Sequence, residues 1–220
     1  MTWLDTLAGE SRSVYSQTGE EGIIEAIFRA IGETNRFLVD VGAGNGRTLS
    51  NTRLLLDQGW SGARFDVRPG DDVVGARVTS ENICELLAGQ GTPRAFDLLS
   101  LDIDGNDWWV LRSILREHQP RAFVCEINNS KPAYPAVTVE YDPALVFANS
   151  DYFGASLGAF SMLAEAHGYA LIHCLPWNAF FVRRELLPDA LPPVPWSPRP
   201  TWPEDPQQRP WCQVTFADVP

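Results

Sequence analysis

Apolar residues fall along this chain in two alternating rhythms. Phe37, Leu38, Val39 and Val41 form a β-rich run too brief for a helix and bounded by glycine, the mark of a buried parallel strand. Comparable runs predict strands over 63–67, 73–78, 96–103 and 122–127, and the segments ALIHCL and NAFFVRREL predict a hairpin-like final pair bent at Pro176 and Trp177. Between them the spacing turns helical. Ile23, Ile24, Ile27, Phe28 and Ile31 make one stripe, closed by Gly32 and capped from Ser16 or Thr18. Leu54, Leu55 and Leu56 follow the first strand, and a helix from about Ser80 ends between Gly89 and Gly91. Trp108, Trp109, Leu111 and Ile114 mark the next helix, and Leu157, Phe160, Met162 and Leu163 mark the last, which stops at Gly168. Strand and helix in alternation predict an α/β domain around a mostly parallel sheet.

Two stretches break the rhythm. Residues 135–157 carry many turn formers and no period, and a loop of that length inside a compact domain is usually functional, a lid or substrate-binding segment. From Leu187 onward prolines forbid helix and interior strand, while Trp196, Trp202 and Trp211 are too apolar for a solvated tail. The expected organisation is one domain over 1–186 and an extended proline- and tryptophan-rich C-terminal arm over 187–220, packed on its own domain or on a neighbour's in a homo-oligomer.

Composition narrows the function. A net charge of −11 over 220 residues argues against nucleic-acid binding, which needs a basic face, and against an anionic membrane surface. The opening residues lack the apolar core of a signal peptide, so a cytoplasmic protein is expected. Cys84, Cys125, Cys174 and Cys212 are scattered and read as reduced thiols.

The chemistry gathers at strand ends. Asp40 precedes the loop Gly42-Ala43-Gly44-Asn45-Gly46, where glycine lets the backbone approach a ligand closely. The third glycine comes one residue too early for the dinucleotide fingerprint G-x-G-x-x-G. Asp66, at the end of the second strand, stands where nucleotide-binding α/β folds place a ribose-binding acid. Gln17, just before the first helix, is a further ligand contact, and Glu81 and Asn82 are candidates for adenine. Asp102, Asp104 and Asp107 cluster around Gly105 and Asn106 after the fourth strand; capping by Asp104 or Asp107 accounts for one of them. Asp97, at the far end of that strand, is expected to be merely solvated, and His173 to be a core histidine. Glu126 ends the fifth strand, followed by Asn128 and Asn129. With Asp102 it makes an oxygen-rich site suited to Mg²⁺, Mn²⁺ or Ca²⁺, the rival being Glu126 paired with Arg121 or a backbone amide.

The segments SQTGEEGIIEAIF, VDVGAGNGRTLSNTRLLLDQGW, DLLSLDIDGNDWWV, VCEIN, DYFGASLGAF and NAFFVR together resemble the FkbM-like branch of the S-adenosylmethionine (SAM) methyltransferases. D-x-G-x-G-x-G resembles motif I of the class I enzymes, whose loop holds the amino-acid end of SAM. The resemblance implies a Rossmann-like class I methyltransferase fold: a mostly parallel seven-stranded sheet, helices on both faces, an antiparallel last strand. It implies methyl transfer to a hydroxyl of a small natural product or sugar; N-methyl transfer and a non-catalytic SAM- or nucleotide-binding module are the alternatives. L-D-I-D-G is also similar to the L-D-G-D segment of the magnesium-dependent macrocin-type sugar O-methyltransferases. That likeness implies Asp102 as metal ligand beside the cofactor, Asp104 as base or second ligand, and Glu126 completing the site. Where those enzymes carry two adjacent acids, this chain reads Glu126-Ile127-Asn128, with Asn128 as a further ligand.

Overall fold

The computed structural model describes residues 2–70 and 72–219. Its strands are β1 (Phe37–Val41), β2 (Ser61–Asp66), β3 (Val74–Gly75), β4 (Ala95–Leu101), β5 (Gln119–Glu126), β6 (Val137–Val139), β7 (Tyr169–Cys174), β8 (Asn178–Arg183) and β9 (Trp211–Gln213). The α-helices are α1 (Glu20–Ile31), α2 (Arg53–Asp57), α3 (Ile83–Gly89), α4 (Asp107–Glu117) and α5 (Leu157–Ala166). Seven strands form one sheet in the order β3-β2-β1-β4-β5-β8-β7. Every pairing from β3 through to β5 is parallel, while β8 runs antiparallel to both β5 and β7. The fold is α/β with Rossmann-like layering.

Because side chains alternate across a strand, each strand feeds two cores. Val39, Val41, Phe65, Leu99, Leu101, Phe123, Cys125 and Phe181 pack beneath α3, α4 and α5. Leu38, Leu98, Ala122, Val124, Phe180 and Val182 pack on the other face under α1 and the lead-in residues Leu4 and Leu7. Phe123 stacks on Phe181 across two strands at 4.6 Å. Burying side chains of this size contributes roughly 1.5–3 kcal/mol each, so the doubly covered sheet is the main source of stability.

Local chemistry moves several boundaries. Neither Ser16 nor Thr18 caps α1; Gly19 holds that position. Glu21 reaches back instead, its Oε2 accepting the N–H groups of Val14, Tyr15 and Ser16, and Glu20 accepts from the N–H of Thr18. The predicted third strand shrinks to Val74–Gly75. Asp97 is not solvated: it is fully buried beneath the turn that enters β1. Its carboxylate accepts the N–H groups of Thr34, Asn35 and Arg36, the Thr34 hydroxyl at 2.7 Å and an Arg121 guanidinium N–H. Arg121 is thereby committed to Asp97 and to the carbonyls of Ile31 and Gly32, and does not pair with Glu126. His173 is half-buried on β7 near the Phe180 ring.

The aperiodic stretch after β5 contains β6, which pairs antiparallel with β9 near the chain's end. Residues 187–210 run without helix or strand but are pinned to the same chain. The Asp151 N–H donates to the Pro203 carbonyl at 2.8 Å, the Tyr152 hydroxyl donates to the Pro210 carbonyl, and Trp202 meets the Phe147 ring edge-on at 5.0 Å. No helix among the described residues is long and apolar enough to cross a membrane.

Candidate functional site

At the carboxyl ends of β1, β2 and β4 a cavity of about 520 Å³ opens, within the usual range of roughly 300–1,000 Å³ for small-molecule sites. Parallel strands all deliver their final residues to this rim, so loops distant in sequence meet there.

The glycine loop forms one wall. Gly42 leaves β1 at φ +90°, and a Cβ there would lie 1.5 Å from the Asp102 carbonyl oxygen. Only glycine lets the exit of β1 press against the end of β4. Gly44, at φ +55°, has nothing within 4 Å of where its Cβ would be and faces the cavity. The two glycines thus serve different ends, close packing and an open cradle. Ala43 and Asn45 line the cavity as well; the Asn45 side-chain oxygen accepts the N–H groups of Arg47 and Thr48 and holds the turn. Gly46 is off the lining, its carbonyl accepting from buried Arg64 at 3.2 Å.

Asp66 closes the wall from β2. Its Oδ2 accepts the Gly44 N–H at 2.9 Å and its Oδ1 the Arg68 N–H at 2.8 Å, so the acid both shapes the loop and faces the cavity. Asp40 is buried on the α1 side of β1 and accepts the Thr52 hydroxyl at 2.6 Å, tying the loop to the start of α2. Burial raises its pKa to about 6, against the pull of Thr52 and Arg64.

The floor is acidic. Asp102 and Asp104 line the cavity, and one carboxylate oxygen of each lies within 4.8 Å of one from Glu126, which is itself off the lining. Asp102 follows β4 and Glu126 ends β5, and both fall on the sheet face that carries Asp40, the side opposite Leu101 and Cys125. Burial, followed by the nearby charges of Asp107 and Asp104, raises Asp102 well above the ordinary carboxylate range. Burial and then Asp102 do the same for Glu126. The buried Glu126 Oε2 has no partner. Asp104 stands at the mouth in a left-handed conformation, φ +56°, uncommon for a non-glycine residue. Asp107 is the acid that holds the turn into α4, accepting the N–H groups of Ile103 and Gly105 at 2.8 and 2.9 Å.

Other expected residues lie elsewhere. Gln17 is exposed and outside the cavity lining. Asn128 is buried, donating to the carbonyls of Asp151 and Phe153 and accepting the Ser130 N–H, so its side chain organises a loop and is not offered to an ion. Glu81 accepts the Tyr141 hydroxyl, Asn82 accepts the Thr79 N–H ahead of α3, and neither lines the cavity. Conversely, the lining includes Leu49, Ser100, Asn106, Pro143 and Leu145, none of them an expected site residue. Ser100 carried a legible signal, a polar break at the inward-facing period of an apolar strand. Pro143 and Leu145 carried none, because they arrive from the aperiodic segment.

Chemically, this is a cavity with acceptor-rich walls, where carboxylates can receive hydroxyl hydrogens, stabilise a cationic ligand or take up a proton. No protein-family model matches the chain, and no curated protein matches it.

Proposed function

We propose that the protein is a SAM-dependent methyltransferase of the FkbM-like, class I kind, acting on a hydroxyl of a small molecule. The observation that carries this reading is the convergence of the open Gly44 cradle, Asp66 and the Asp102–Asp104 pair on one cavity at the carboxyl rim of the parallel strands. The sheet order, with antiparallel β8 set between β5 and β7, supports it.

The residues fit SAM. A Cβ at Gly44 would enter the cavity, so the loop is shaped for a ligand lying against its backbone. Asp66 is placed to accept two ribose hydroxyl hydrogens, as an ionised carboxylate does best. Acids around the rim favour a ligand whose amino-acid end carries an ammonium and whose reactive centre is a sulfonium. When bound, SAM supplies an electrophilic methyl group. The chain's own contribution is to hold the acceptor oxygen in line with that group, which accounts for much of the catalysis in such displacements. Asp104, exposed at the mouth of the cavity, is the base that receives the hydroxyl proton.

The same residues fit a hard divalent cation such as Mg²⁺, with Asp102, Asp104 and Glu126 as ligands: the donors are carboxylate oxygens, and Glu126 Oε2 lacks a protein partner. Such an ion would lower the acceptor hydroxyl's pKa and orient it.

Incubation with SAM and a panel of hydroxylated and amine acceptors, monitored for S-adenosylhomocysteine, tests the reading. Turnover of hydroxyl acceptors is the expected result. Turnover of amines alone would reassign the protein as an N-methyltransferase, and SAM binding without turnover would make it a binding module. Exhaustive chelation followed by magnesium should abolish and restore activity with SAM still bound; activity that survives chelation removes the metal and leaves Asp104 as a plain general base.

A further inference from the structure

The cavity has two unlike ends. Past Asp66 its lining mixes apolar side chains with two arginines: Arg68 and Pro69 after β2, Ala76, Arg77 and Val78 after β3, Ile103 between Asp102 and Asp104, and Pro143 and Leu145 from the aperiodic segment. That segment is fastened at several points. The Tyr141 hydroxyl accepts the Ser80 N–H at 3.2 Å and donates to the Glu81 carboxylate, while its ring packs on Trp109 at 5.7 Å. The Asp142 carbonyl accepts from the Asn106 amide at 2.7 Å. Phe147 is held edge-on between Phe153, at 5.6 Å, and Trp202 of the C-terminal arm, at 5.0 Å.

We infer that residues 141–147 form a strap over the adenine end of the cavity, with Leu145 contacting the base and the C-terminal arm, through Trp202, setting how long the nucleoside stays bound. The inference rests on the SAM reading and deepens it. An acid at the end of the second strand takes the ribose, so the base continues toward β3, where Ala76, Arg77 and Val78 lie. A flat heterocycle suits a slot with apolar side chains and a guanidinium to lie against. The strap crosses that slot from Tyr141 above α3 to Leu145 beside Gly105, whose added Cβ would lie 3.3 Å from the Leu145 side chain. Movement of the strap off the cavity would part Phe147 from Trp202 and Tyr141 from Ser80. Glu81, expected to meet adenine directly, acts on it through Tyr141 instead. The arm thereby gains a role in the site although none of its own residues lines the cavity.

The test follows release of S-adenosylhomocysteine and of adenosine from the full chain by stopped-flow. Leu145→Ala should weaken both ligands about tenfold, since it strips apolar contact from the base. Tyr141→Phe, which removes one hydroxyl, and Trp202→Ala should each speed release of both about fivefold, with Trp202→Phe restoring the slow rate. Thermal midpoints measured alongside separate this from general loosening: a positioning role requires faster release in Tyr141→Phe with the midpoint held. If the wild type binds S-adenosylhomocysteine and all three variants release both ligands at the wild-type rate, the strap inference is overturned while the SAM reading stands. If the wild type binds neither ligand, both fall together.

Discussion

Asp97 and Asp102 sit at opposite ends of the same stretch of chain, one entering β4 and the other leaving it, and their surroundings are opposites. Around Asp97 every neighbour is a donor: three successive backbone N–H groups, the Thr34 hydroxyl and Arg121. Burial alone would raise its pKa, but these bonds outweigh burial and hold it below the ordinary value. Around Asp102 the neighbours are acids, and burial, Asp107 and Asp104 all push its pKa up. One carboxylate is satisfied by the fold and the other is left wanting a proton or a cation. A raised carboxylate beside a cavity is a candidate for function where, unlike Asp40 and Asp107, the fold gives it no structural partner. The parallel sheet assigns the two ends their roles, since only the carboxyl rim meets loops that can open a cavity.

The largest expected effect breaks the comparison at its structural end. Asp97→Ala leaves the Arg121 charge and the turn over residues 34–36 without their acceptor, and should destabilise the protein by about 3–5 kcal/mol. Urea unfolding measures it. Asp102→Asn should show no such loss, because the amide removes a charge that the folded state holds at a cost, yet methyl transfer should collapse. Similar stability losses in the two variants would dissolve the distinction between the two ends.

The same contrast recurs within the glycine loop. Gly44→Val should abolish SAM binding and leave a largely folded protein, because its side chain would project into the cavity from a left-handed backbone that a branched residue tolerates poorly. Gly42→Ala should instead damage the fold, since its Cβ meets the Asp102 carbonyl. Normal calorimetric SAM binding by Gly44→Val would reduce the loop to a turn.

These contrasts also mark what the sequence could disclose. Short apolar runs bounded by turn formers located the principal strands, acids interrupting such runs located Asp102 and Glu126, and position before the glycine loop located Asp40, because a buried charge in an apolar strand is costly unless it is used. Strand-end position placed Asp66. Asp97 was misread because its partners arrive from the turn at 34–36, more than sixty positions away, and no local pattern announces them. Asn128 and Gln17 look identical in sequence to ligand-binding residues. Only the fold decides that one is consumed by the carbonyls of Asp151 and Phe153 and that the other points away. Residues 135–157 were legible as a loop of unusual length suited to a lid or substrate-binding segment, but not which of their residues reach the cavity, since that depends on Phe147 and Tyr141 meeting residues remote in the chain.

A smaller, pH-dependent effect sharpens the comparison. Asp40 and Asp107 have folded-state pKa values near 6 against an ordinary 3.8, raised first by burial. The native protein therefore holds these protons more tightly than the unfolded chain. Their contribution favours folding fully below the ordinary value and is lost as pH climbs through about 6, by roughly 3 kcal/mol for each group. Asp97 behaves in the opposite sense, contributing above the ordinary carboxylate value and failing only on acidification below it. Unfolding free energy should thus decline between about pH 4 and 7, and Asp40→Asn should flatten part of that decline. A variant that kept the whole decline would show that Asp40 is not held protonated by its burial.

The smallest effect concerns Asp66, which shares properties of both ends, satisfied by the fold yet facing the cavity. Asp66→Ala should weaken SAM binding by about 1–3 kcal/mol, the scale of hydrogen bonds to a charged group. Part of that loss would come from the loop, because Asp66 Oδ2 also accepts the Gly44 N–H. Asp66→Asn separates the two contributions. An amide oxygen can still accept from Gly44 and keep the loop in place, but a neutral group accepts ribose hydroxyl hydrogens less strongly. If Asp66→Asn binds SAM as weakly as Asp66→Ala, the charge acts on the ligand. If it binds nearly as well as the wild type, Asp66 serves by shaping the loop. Unchanged affinity in both variants, measured calorimetrically, would remove the residue from the site altogether.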